Sequence, residues 1–128
     1  MPRCAILLAV LLGACSSQPG AMGPMGAAAA GRQCFFAGQV NGYSSAGEGA
    51  VNLQVGAGRF FRLDLGGYCP NVDRFQSIAV RTTGGGSWIC EGLDAELIVP
   101  DPVAGPQRCH VTAVRPISRA EYLASRRR

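Results

Sequence analysis

Residues 51–65 confine this chain to a β architecture. Val51, Leu53 and Val55 alternate with Asn52 and Gln54, Gly56-Ala57-Gly58 turns the chain, and Phe61, Leu63 and Leu65 alternate with Arg62 and Asp64. A period of two puts every second side chain on one face of a strand, so each segment buries one face and wets the other. The pattern predicts a β-hairpin over residues 50–65 with a glycine-containing loop. On its wet face Arg62 and Asp64 form a solvated pair. Phe60 is the one apolar residue out of pattern there. It is either a contact point or a ring covered by the linker or the C-terminal helix.

The remaining apolar segments are short and bounded by turn residues. Residues 34–40 read as a first strand closed by the turn dipeptide Asn41-Gly42. Pro70 keeps Cys69 out of the helical region, so residues 69–73 form a tight turn or one short helical turn. Residues 77–82 alternate as a fourth strand, and Gly84-Gly85-Gly86 reads as a hairpin loop. Residues 87–90, 95–99 and 109–114 supply further strands, stopped by Pro100 and Pro102 and bounded by Pro106 and Pro116. Ser118 and Glu121 have capping-box spacing, with Ile117 and Tyr122 placed as a hydrophobic staple. A short helix should start at Ser118 and fray into Arg126-Arg127-Arg128, whose charge suits a helix C-terminus. The expected fold is all-β: a small antiparallel barrel or sandwich of six to seven short strands with a short C-terminal helix.

The chain has 128 residues, room for one domain with tails. Its formal net charge of +4 is carried by Arg3 and the three terminal arginines, which leaves the body neutral. A neutral body argues against nucleic-acid binding, which needs a basic face or stripe. The terminal arginines could meet an anionic surface but read more simply as a solvated tail.

After Arg3, residues 5–14 are apolar or small, far short of the roughly 20 needed to span a bilayer. They read as a secretory signal. Leu12-Gly13-Ala14-Cys15 resembles the bacterial lipoprotein signal box. That resemblance implies a thioether-linked diacylglycerol on Cys15, which becomes the acylated first residue after cleavage. Ser16 is not the Asp that resembles an inner-membrane retention signal, so the resemblance implies the outer membrane, facing the periplasm. Residues 16–32, SSQPGAMGPMGAAAAGR, have no apolar periodicity and read as a linker spanning about 20–25 Å on average. The expected organisation is a signal peptide at 1–14, the lipid-bearing Cys and linker at 15–32, a disulfide-stapled β domain at 33–117, and a helix and basic tail at 118–128.

Of the six cysteines, Cys4 leaves with the signal and Cys15 takes the lipid. Cys34, Cys69, Cys90 and Cys109 remain, and an even number in an exported domain favours two disulfides. Their wide spacing lacks the paired ligands of a structural zinc site. Sequence does not select among the three connectivities. The one preferred here joins Cys69 to Cys90, from hairpin end to the strand after the glycine loop, and Cys34 to Cys109, from first strand to last.

Little in the chain points to catalysis. Gly84-Gly85-Gly86-Ser87 lacks the Lys of a phosphate loop and opens no helix, and no G-x-S-x-G elbow occurs. His110 is the only histidine, so any acid-base scheme must run through it; beside Cys109 in a strand it suits a surface or packing role. Glu91, Asp94 and Glu96 flank a turn and could bind Ca²⁺ or act on a glycosidic bond, but loop solubility explains them without EF-hand spacing. Trp88, the single tryptophan, is a possible contact residue, as is Phe60. No catalytic residue, metal or cofactor is expected.

The order Cys34-Phe35-Phe36, Tyr68-Cys69-Pro70, Gly84-Gly85-Gly86-Ser87-Trp88-Ile89-Cys90, then Cys109 ahead of Pro116-Ile117-Ser118 and Glu121 resembles a family of small bacterial envelope proteins known only as a domain of unknown function. The resemblance covers residues 33–123. Carried by cysteine and turn positions, it implies a shared fold and brings no catalytic residue with it. The function expected is that of a non-enzymatic lipoprotein acting through envelope-protein or cell-wall contacts. Its rivals are a periplasmic inhibitor or small-ligand binder using residues 84–88, and a hydrolase dependent on His110.

Overall fold

The computed structural model describes residues 33–74 and 77–127. The signal peptide, Cys15 and the linker lie outside the described residues. In chain order the elements are β1 (Phe35–Phe36), a 3-10 turn (Ala37–Gln39), β2 (Val40–Ser45), β3 (Ala50–Val55), β4 (Arg59–Leu65), β5 (Ala79–Thr82), β6 (Trp88–Ile89), a second 3-10 turn (Gly92–Asp94), β7 (Ala95–Val99), β8 (Gln107–Ile117) and α1 (Arg119–Ser125).

Six strands form one curled antiparallel sheet in the order β2-β3-β4-β8-β7-β5, while β1 and β6 pair as a separate two-stranded ribbon. The hairpin read from residues 50–65 is β3 and β4, in register Leu53 opposite Phe61 and Val51 opposite Leu63. Its alternate residues Val51, Leu53, Val55, Phe61 and Leu63 meet Leu97, Val99 and Val111 inside the curl, all at most 1% exposed. Phe35 and Ile89, both fully buried, carry the ribbon's inner face into the same core. Burying each such side chain contributes about 1.5–3 kcal/mol, which is why these alternations set the sheet's two faces.

β8 is the element that unites the sheet. Its first part, Gln107 to His110, pairs with β7, and its later part, Val111 to Ile117, pairs with β4. Pro116 therefore ends nothing: it lies within β8 opposite Phe61. A missing N–H is tolerated there because β7 pairs with β8 only as far as His110, leaving the other side of Pro116 free of a strand.

Three further expectations are corrected. Asn41-Gly42 is not a turn but part of β2, where a bulge between Val40 and Gly42 absorbs the extra residue. The break in the expected first strand comes earlier, at the 3-10 turn Ala37–Gln39, where the chain leaves the ribbon for the main sheet. Nor is Gly84-Gly85-Gly86 a hairpin loop. β5 pairs with β7 and β6 pairs with β1, so the glycines carry the chain from one sheet to the other.

That rerouting also corrects the disulfides, which are Cys34–Cys90 and Cys69–Cys109, not Cys69–Cys90 and Cys34–Cys109. Phe36 faces Trp88 and Phe35 faces Ile89, so the next positions along the ribbon are Cys34 and Cys90. Leu65 faces Val111, so the chain leaving β4 brings Cys69 beside Cys109.

The short helix forms as expected. Ser118 caps it by accepting from the backbone N–H of Glu121 at 3.1 Å, and the Glu121 carboxylate accepts from Arg115 at 2.8 Å.

Candidate functional site

The outer face of β2, β3 and β4 is polar by sequence, yet α1 covers part of it. Tyr122, 2% exposed, lays its ring 4.9 Å from that of Phe60. Phe60 is thus not a contact residue: it is 8% exposed, and its departure from the alternation marks where the helix docks. Ser125 completes the contact through hydrogen bonds with Ser44 at 2.5 Å and Asn52 Nδ2 at 3.0 Å. Asn52 is 1% exposed, and its Oδ1 has no hydrogen-bond partner.

Where α1 meets the β2 edge, a cavity of about 440 Å³ opens, lined among others by Tyr43, Gln54, Tyr122, Ile78 and Arg126. β2 and β5 are the two edges of the sheet, and Ser77 and Ile78 lead into β5, so the cavity marks the seam where the curl stays open. Burial pushes the Tyr43 phenol above its ordinary pKa of 10.0. Two phenols, an amide and a guanidinium can orient a small polar ligand by hydrogen bonding. The sequence reading missed this cavity, because its lining comes from three separated stretches, residues 40–54, 77–78 and 122–126.

The second feature is the ribbon. β1 and β6 direct Phe35 and Ile89 inward, so Phe36 and Trp88 face outward, 37% and 59% exposed. Their rings stand edge to face, 5.9 Å between centroids. Trp88, read from the sequence as a strand residue and candidate contact, is exposed; its partner Phe36 was read only as part of a strand.

The titratable candidates have structural surroundings. Asp94 Oδ2 accepts from the backbone N–H groups of Cys90 and Glu91 at 3.0 and 2.9 Å, fastening the turn before β7. Glu96 accepts from Arg108 at 3.5 Å. His110 is exposed on β8, opposite Glu96 in register. Ser87 is also exposed, and its carbonyl accepts from Ala37 N–H at 3.0 Å. Among the described residues, no three His, Cys, Asp or Glu side chains gather as a metal site.

These features define a small all-β domain with two disulfides, a curled sheet open along one seam, and an outward aromatic ribbon. The family model described as a family of unknown function, DUF6491, matches residues 1–128, and the chain belongs to that family. No curated protein and no solved structure matches it.

Proposed function

We propose that the chain is a lipid-anchored envelope protein, held at the periplasmic face of the outer membrane through Cys15, and that it acts by non-covalent contact without catalysis. The observation that carries this reading is the pair of disulfides, Cys34–Cys90 and Cys69–Cys109, spanning 56 and 40 residues. Bridges that close such long loops persist in oxidising compartments, where an export signal would deliver the chain. Contact is favoured as the mode of action by the outward Trp88 on a strand pair fastened at one end by Cys34–Cys90.

The test is the intact mass of the protein purified from membranes, before and after reduction. A diacylglycerol increment on Cys15 and a gain of four protons on reduction are expected. A mature protein found with its N-terminus intact and its thiols reduced overturns the reading.

A second reading, a small-ligand module, is favoured by the cavity of about 440 Å³ beside Tyr43 and Tyr122. Titration calorimetry against small polar compounds tests it. A ligand there should bind wild type and lose affinity in Tyr122→Phe, which keeps the ring and removes the hydroxyl.

A further inference from the structure

We propose that the Phe36–Trp88 face of the ribbon docks on the lipid bilayer that carries the anchor, fixing how the domain stands on the membrane. The proposal deepens the lipoprotein reading and rests on it. Its starting point is the geometry of the aromatic pair. Phe36 and Trp88 are directly opposed across β1 and β6, with the rings in edge-to-face contact. The Cys34–Cys90 bond closes one end of the ribbon, and the Ala37 N–H to Ser87 carbonyl bond continues the ladder at the other. Gly38 lies under the Phe36 ring: a Cβ there would come within 2.7 Å of Cε1. Two large rings held in this way lose little side-chain freedom when they bind, so more of their burial is retained as affinity.

The occupant is indicated by where the tether joins. Residue 33 opens the described domain, so a chain running from Cys15 meets the ribbon at Cys34, two residues from Phe36 and about 7 Å along the strand. A flexible segment with as many residues as 16–32 would have a mean span of about 23 Å. The aromatic face is therefore among the parts of the domain held nearest the lipid, at an effective concentration in the millimolar range. Indole rings favour the boundary between headgroups and acyl chains, where the apolar body is buried and the N–H meets water.

Charge at this end is mixed, one arginine and two carboxylates. Arg59 is exposed, donates from Nη2 to the Cys34 carbonyl at 2.6 Å and stacks over the Phe61 ring at 5.0 Å, so one cation stands at the Cys34 end of the ribbon. Glu91 follows Cys90 on the other strand, and the Asp94 carboxylate beside it is held by backbone N–H groups. The attraction is accordingly apolar in the main, with little dependence on salt.

The experiment uses the full protein reconstituted in vesicles of phosphatidylethanolamine and phosphatidylglycerol, with Trp88 as the only tryptophan reporter. The expected result is emission at shorter wavelength than in water, quenching by lipids labelled at the headgroup or upper acyl chain, and shielding from aqueous iodide. Phe36→Ser should abolish most of the lipid quenching while both disulfides remain by mass, and raising salt should leave the quenching unchanged. A Trp88 fully open to iodide and untouched by lipid quenchers overturns the proposal, as does quenching that Phe36→Ser leaves intact. Anchoring is read separately, as the lipid mass on Cys15, so failed docking of an anchored protein is distinct from failed anchoring.

Discussion

Phe60 and Tyr122 lie ring to ring, 4.9 Å apart, on the outer face of the sheet, and through this contact a seven-residue helix is held to a surface that the strand pattern marks as polar. A helix this short has no stability of its own in water, so its order depends on the contact. Tyr122→Ala should cost about 3 kcal/mol in urea unfolding and release the helix, read as loss of amide protection over residues 119–125. Tyr122→Phe should cost less than about 1 kcal/mol, because the ring remains.

Under the same helix, Asn52 presents an amide whose Oδ1 is buried without a partner. Replacing a half-satisfied polar group with an apolar one of similar size removes an unmet desolvation cost. Ser125 Oγ keeps its bonds to Ser44 and to the Tyr122 carbonyl in that case. Asn52→Leu should be neutral or stabilising by up to about 1 kcal/mol, whereas Asn52→Asp, which buries a charge, should lower the denaturation midpoint.

The turn Gly92–Asp94 packs directly on the β8 backbone. A Cβ at Gly92 would sit 2.2 Å from the Thr112 carbonyl carbon and 2.5 Å from Ala113 N, so the strand or the turn would have to move. Gly92→Ala should destabilise by about 3 kcal/mol. Gly84→Ala, with nothing within 4 Å, should fall within about 0.5 kcal/mol of wild type in the same denaturation series.

Removing one bridge tests the observed pairing. Cys34→Ser with Cys90→Ser should lower stability by about 4 kcal/mol on the chain-entropy model. In that double variant, peptide mapping should still recover Cys69 linked to Cys109. Removing Cys69 with Cys90, by contrast, strands two thiols from different bridges, and no native linkage should be recovered.

Asp101 supplies a pH dependence. Its Oδ1 accepts from the N–H groups of Val103 and Ala104 at 2.8 and 2.9 Å, and Asn71 Nδ2 donates to Oδ2 at 3.0 Å. The backbone bonds from Ala104 and Val103 hold its pKa below the ordinary 3.8. A depressed carboxylate contributes stability that is present above its unfolded-state value and is lost as pH falls through the folded one. Its carboxyl carbon shift should titrate below 3.8, and Asn71→Ala should move that midpoint upward.

Local regularity made part of this fold legible. The hairpin at 50–65, the strand at 95–99 and the Ser118 cap each rest on neighbours within a few residues, and all three are present. Pairing is a matter of distant partners. Gly84-Gly85-Gly86 turns the chain whichever strand receives it, so the glycines could not tell a hairpin from a change of sheet, and the preferred disulfides, which joined the 50–65 hairpin end to the strand after that loop and the first strand to the last, failed with it. Phe60 did carry a signal: an apolar ring on a wet face marked the helix dock. Gly92 carried none, because the backbone it touches is 20 positions away in sequence.

β8, the last strand in chain order among the described residues, serves β7 with one end and β4 with the other. A polypeptide cut short before Gln107 has its earlier strands in three groups with no shared member, β2-β3-β4, β7-β5 and the β1-β6 ribbon, so none can close the barrel-like curl. Closure of the sheet therefore depends on residues 107–117 being in place, whatever has folded before them. The same dependence leaves a product truncated before Gln107 with β4 and β7 as bare edges, open to mispairing and proteolysis.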